Sequence, residues 1–146
     1  MTGLENDPTS TMPGPEFVEK SVAEIRKHTD KEILIKPHPM SDYVSEHHTT
    51  LNKDMSLKDL APLLYCAVLD NSTSIFELTM LGIPCFTTSA NFGYKLGNTD
   101  LSKINDIYYS DEDTMQKWWN EMCHTEFREN EFRDSMILDY IQELVE

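Results

Sequence analysis

Apolar positions along this chain recur with two different periods, and polar breaks separate the runs. Phe17, Val18, Val22 and Ile25 follow helical spacing. Gly14 and Pro15 open that run, with proline at the first-turn position it favours, so a helix is predicted to about His28. Residues 31–36 (KEILIK) form a short apolar run, read as a buried strand, and Pro37 and Pro39 end it. Residues 40–54 are polar and histidine-bearing and read as a loop. Ser56 then stands as an N-cap with Asp59 in a box-like position, and Leu57, Leu60, Ala61 and Leu64 continue at helical spacing. Residues 66–69 (CAVL) predict a second strand and 70–74 (DNSTS) a polar turn. A short helix follows with Ile75, Leu78 and Leu81, capped by Gly82. Residues 84–86 predict a third strand, 87–106 a long loop, and 107–109 a fourth, edge-like strand. Ser110 is expected to cap a helix bearing Met115, Trp118 and Met122, and a final helix carries Phe132, Ile137, Tyr140, Ile141 and Leu144.

Short apolar strands alternating with amphipathic helices imply parallel βαβ units. The expected fold class is therefore α/β: a Rossmann-like, doubly wound parallel sheet of about four short strands, with two C-terminal helices covering one face. Residues 1–15 are rich in Pro, Gly, Thr, Ser and Asp and read as a loop or disordered lead-in. Residues 16–146 are expected to form the domain.

Composition narrows the partners. A chain of 146 residues with 39% hydrophobic content can bury one core. Its 26 acidic residues outnumber 12 basic ones, for a net charge of −14. Such a surface repels phosphate backbones and anionic lipid, so neither nucleic acid nor a membrane surface is expected as partner. Three cysteines, Cys66, Cys85 and Cys123, form no CxxC pair, and the first two sit in apolar runs as small hydrophobes. No basic-then-apolar N-terminal stretch and no run of ~20 apolar residues is present, so a reducing, cytoplasmic location is expected. His47 and His48, like Cys123 and His124, are adjacent and lack zinc spacing, so no metal is expected. Asp111, Glu112 and Asp113 read as the acidic first turn of a helix.

In open α/β sheets ligands bind at the carboxyl ends of strands, which directs attention to three segments. His38 lies between two prolines directly after the first strand, where its imidazole can donate to a phosphate oxygen; the alternative is a turn histidine satisfied by backbone. Asn71, Ser72, Thr73 and Ser74 follow the second strand and open a helix, where free N–H groups and hydroxyls suit an anion. Glu77, one turn in, can accept from ribose hydroxyls; alternatively Ser74 and Glu77 form an ordinary capping box. The third segment, 87–95 (TTSANFGYK), offers hydroxyls, Asn91 and Lys95, the last as a phosphate partner; the alternative is a plain surface loop.

Taken together, ILIKPHP followed by LKDLAPLLYCAVLDNSTSIFELTMLGIPCFTT resembles the C-terminal, nucleotide-sugar-binding domain of GT-B-type glycosyltransferases of the capsule-polysaccharide, teichoic-acid and sialic-acid transferase kind. UDP-sugar 2-epimerases share that architecture. The likeness spans roughly Phe17 to Tyr109. It implies a donor site made by Lys36, His38, Ser72, Thr73, Ser74, Glu77 and Lys95, with His38 contributing to catalysis by stabilising the leaving phosphate. It implies neither metal nor cofactor. The general base and acceptor site of those families lie mainly in an N-terminal domain, and the first strand of the nucleotide domain is missing from the match. A homo-oligomer or a separate acceptor-domain partner is accordingly expected. The alternative function is a non-catalytic module that binds a nucleotide or a protein on the same fold.

Overall fold

The computed structural model describes residues 14–88 and 93–123. Two units are distinguished, one ending at Ser110 and one beginning at Asp111.

The first unit opens with α1 (Gly14–Ile25), whose apolar residues fall on one stripe. Phe17 and Val18 from that stripe pack with Ile35, and Ile25 joins Phe86 and Ile104 in a second cluster. Then come β1 (Leu34–Ile35) and β2 (Thr49–Thr50), which pair in parallel, Leu34 opposite Thr49. The strand β2 lies inside the segment read as a loop. Its two threonines are β-branched and suit extended backbone, but a two-residue strand shows no alternation for a sequence reading to detect. Thr50 also accepts the Ser45 N–H through Oγ1 at 2.9 Å.

The next helix, α2 (Leu57–Leu60), is capped as expected. Ser56 accepts the Asp59 N–H at 3.2 Å and donates its hydroxyl to the Asp59 carboxylate at 2.7 Å. The helix is shorter than its pattern: Pro62 brings no N–H, and Ala61–Leu63 tighten into a 3₁₀ turn. β3 (Ala67–Leu69) pairs in parallel with β4 (Cys85–Thr87), and α3 (Ser74–Met80) crosses between them. Gly82 ends α3 at φ 75°, donating to the Thr79 carbonyl while Ile83 donates to Leu78. That double closure is a Schellman ending and needs the left-handed residue to be glycine.

The strands thus form two parallel pairs, β1-β2 and β3-β4, where one sheet was expected. The expected strand at 107–109 does not form. The free edge of β4 is taken by Asn98, which bridges Phe86. Thr87 N–H donates to the Asn98 carbonyl at 2.8 Å and Asn98 N–H to the Cys85 carbonyl at 2.9 Å.

In the second unit α4 (Glu112–Cys123) forms, but its cap is one residue later than expected. Asp111 accepts the Thr114 N–H at 2.7 Å and its hydroxyl at 2.9 Å. These bonds hold the Asp111 carboxyl below its ordinary value. Ser110 instead donates to the Leu96 carbonyl at 2.7 Å. The Trp118 and Trp119 rings meet edge to face, 5.0 Å between centroids. The expected last helix, the lead-in 1–13 and residues 89–92 lie outside the described residues. No helix among the described residues is long and apolar enough to cross a membrane.

The two described cysteines make an alkaline prediction. Burial pushes the Cys66 thiol up to about 11 and the Cys85 thiol up to about 12, against 9.0 for a free thiol. Between those values the folded chain holds protons that the unfolded chain has lost, so stability falls as pH rises. The stabilising contribution is complete below pH about 9 and lost through about 11 to 12. Lys36 acts with the opposite sign, because burial lowers its amine, but it is one half-buried group against two thiols. Urea midpoints should therefore drop between pH 8 and pH 10.5, and drop less steeply in Cys66→Ala. A midpoint that rises over this range would contradict the buried thiols.

Candidate functional site

Lys36 continues β1 and is half-buried, and its amine donates to the Lys53 carbonyl at 2.7 Å. Burial lowers that amine from its ordinary value, with the Asp54 carboxylate partly opposing the effect. One of its N–H groups therefore braces β1 against the turn after β2.

His38 follows between buried Pro37 and exposed Pro39. The ring folds back on its own turn: Nδ1 accepts the Met40 N–H at 3.1 Å, while the His38 carbonyl accepts the Ser41 N–H at 2.9 Å. A backbone donor at Nδ1 requires a lone pair there, so the ring N–H of this tautomer sits at Nε2. These contacts are those of the alternative reading, a turn histidine satisfied by backbone. The histidine is held by backbone, and the holding leaves a defined donor at Nε2.

The segment after β3 is built as a turn. Asp70 is buried, and its carboxylate accepts the Thr88 hydroxyl at 3.1 Å. Since Leu69 stands opposite Thr87 in the parallel register, this bond joins the carboxyl ends of β3 and β4. Ser72 N–H donates to the Asp70 carbonyl at 3.1 Å, and the Ser72 hydroxyl accepts the Ser74 N–H at 3.3 Å. Thr73 is the cap residue of α3 by position but makes no side-chain capping bond. The Ser74–Glu77 capping box is therefore not what starts this helix; Ser72 takes that role from two residues upstream. Thr73 and Glu77 are exposed, and Ser72 and Ser74 half-buried.

Lys95 is exposed, in a 3₁₀ turn (Tyr94–Leu96). Ser89 and Asn91 of the third segment lie outside the described residues. Thr87, the first residue of that segment and one of its hydroxyls, belongs to β4 rather than to a loop. It is fully buried at the end of β4, and its Oγ1 has no hydrogen-bond partner. Among the described residues no three of His, Cys, Asp and Glu converge as metal ligands. His47 and His48 instead donate their backbone N–H groups to the Ser45 hydroxyl.

The Lys31 amine lies 4.3 Å from the centroid of the Tyr65 ring. The segments that lead into β1 and β3 therefore meet. No protein-family model, curated protein or solved structure matches the chain.

Proposed function

We propose that this chain is a donor-binding domain of a GT-B-like glycosyltransferase, gripping the phosphates of a nucleotide-activated sugar or sugar phosphate. On this reading the two strand pairs are the flanks of one Rossmann-like, doubly wound sheet, and the domain works in the cytoplasm. The observation that carries the proposal is the His38 turn. It presents an Nε2–H donor right after a parallel strand, in a ring fixed by its own backbone. Ser72, Thr73 and Ser74 follow a second parallel strand and add hydroxyl donors, with Glu77 one turn on for ribose. Lys36 and Lys95 supply positive charge in a chain of net charge −14.

In the reaction, an acceptor oxygen forms a bond to the anomeric carbon while the bond to the nucleoside phosphate breaks. The electron pair leaves with the phosphate. A donor at His38 Nε2 stabilises the charge gathering there, a catalytic contribution as well as a binding one. The acceptor's proton goes to a base in the acceptor-binding half that the resemblance assigns to another domain.

A second reading, a non-catalytic nucleotide-binding module, keeps the same site. It is favoured by Asp70, the buried carboxylate at this edge, being engaged by Thr88 in a structural bond.

Thermal unfolding with CDP, CMP, UDP, GDP and their sugar conjugates tests both readings. A ligand at about a hundred times its Kd stabilises by about 2.7 kcal/mol. One nucleotide class should raise the melting temperature selectively. His38→Ala should weaken its binding about tenfold or more, the loss of a hydrogen bond to a charged group, and Ser74→Ala should weaken it less. Hydrolysis of the donor by the chain favours the transferase over the module. Unchanged affinity in His38→Ala removes His38 from the site.

A further inference from the structure

Between the two strand pairs lies a cleft of about 360 Å³. Space of that size is not left in a close-packed interior. Both inner strands line it, Leu34 and Ile35 from one pair and Ala67 to Leu69 from the other. Phe17 and Val18 of α1 and Leu57 and Leu60 of α2 add apolar walls.

The backbone pattern identifies what the walls lack. In β1, the Ile35 carbonyl accepts the Leu51 N–H at 2.8 Å and so faces β2. A parallel ladder alternates, which turns the N–H and C=O of Leu34 to the opposite edge. In β3, Ala67 N–H donates to the Pro84 carbonyl at 2.9 Å and the Leu69 carbonyl accepts from Thr88 at 3.0 Å. The N–H and C=O of Val68 therefore turn away from β4. Among the described residues no hydrogen bond reaches Leu34 or Val68 from the cleft. Two half-ladders, both lining one apolar cleft, lack the backbone between them. An acyl chain or other apolar ligand would fill the volume and leave four backbone groups buried without partners, at a cost that folded proteins avoid.

We propose that this cleft receives an extended strand from another polypeptide, which pairs with Leu34 on one side and Val68 on the other. Lys31 and Tyr65 meet at one end of the cleft, so the segments that lead into β1 and β3 lie side by side there. A strand buried on both faces is a continuous apolar run of about five residues. Residues 1–13 hold Met1, Leu4 and Met12 as their apolar residues, among Gly3, Pro8 and Pro13, and do not fit that requirement. The charged side chains lining the cleft are Lys31, Glu32 and Lys36, two basic and one acidic, which selects a partner strand with acidic rather than basic flanks. The proposal stands apart from any nucleotide site and does not depend on one.

The test uses the full chain and three probes: a capped peptide of valine and isoleucine between glutamate pairs, the same peptide N-methylated at alternate residues, and palmitate. Amide exchange at Leu34 and Val68 is followed by NMR. The free chain should exchange both amides fast, and the first peptide should slow both by about tenfold or more. The N-methylated peptide, stripped of half its donors, should not. Stabilisation by palmitate without an effect of the peptide makes the cleft an acyl-chain pocket and overturns the proposal. Slow exchange in the free chain, accompanied by a dimer in sedimentation, assigns the cleft to a second copy and also overturns it. An absence of response to every probe does the same. A nucleotide-induced shift is read separately and leaves these outcomes unaffected.

Discussion

Phe86→Ala is expected to destabilise the chain by about 3–5 kcal/mol, the usual cost of deleting a fully buried aromatic side chain. Phe86 is 1% exposed, at the middle of β4. It packs with Ile25 of α1 and Ile104, and Ile33, Cys66, Val68 and Leu101 close the same cluster. The ring thus gathers the first helix, the approach to β1, Cys66 and Val68 at β3, and the segment after β4. With the cleft nearby already short of packing atoms, the surroundings have little to collapse with, so the upper part of the range is expected. Domains of this size are stable by about 5–15 kcal/mol in total, so the variant should sit close to its unfolding threshold. Phe86→Leu keeps most of the volume and should lose less than about 2 kcal/mol. Urea denaturation of both variants is the measurement. Equal losses would show that ring packing at Phe86 is not what holds the cluster.

Gly97→Ala is the second large effect. Gly97 has φ −127°, which any residue adopts, so handedness is not the reason for glycine here. The reason is proximity: a Cβ would lie 2.7 Å from the Cys85 carbonyl oxygen and 3.2 Å from its carbon. Neither side can yield cheaply. The same carbonyl accepts the Asn98 N–H, and Asn98 in turn holds the Thr87 N–H. Relief would break the bridge that covers the edge of β4. A loss of about 1–3 kcal/mol is expected, as for other overpacked sites. At roughly 3 °C per kcal/mol for a domain of this length, thermal unfolding resolves it. A melting temperature within a degree of the parent would mean that the segment around Gly97 rides loosely over β4. Gly93 is crowded for a related reason, since a Cβ there would collide with the Ile75 side chain.

Periodicity reported α1, α3 and α4 well because each buries a stripe, and the stripe is written in the order of residues. Caps were legible to within a residue or two: Ser56 and Gly82 act as their chemistry suggests, while Asp111 displaced Ser110 and Ser72 displaced Ser74. A hydroxyl or carboxylate near a helix start competes with its neighbours for the same N–H, and sequence does not say which wins. The strands at Leu34–Ile35, Ala67–Leu69 and Cys85–Thr87 were legible as apolar runs. Thr49–Thr50 was not, because pairing with β1 rather than any local pattern makes it a strand. The run 107–109 is apolar and aromatic enough, but a strand also needs a pairing partner, which no order of residues supplies; the edge of β4 is bridged by Asn98. At the candidate site, position after a strand pointed to His38 and to Ser72–Ser74. The Met40 donor that sets the His38 tautomer, and the partnerless hydroxyl of Thr87, exist only in three dimensions.

The half-ladders at Leu34 and Val68, half-buried in the cleft, give the acidic composition a further meaning. Unpaired sheet edges are templates for association, and a chain carrying two of them in an apolar cleft is a colloidal hazard to itself. A net charge of −14 adds a mean repulsion between copies over the range of the Debye layer. The excess of carboxylates therefore works as a solubility device, discouraging copies from zipping together edge to edge. That protection weakens in acid, where the carboxylates take up protons, and in concentrated salt, which screens them.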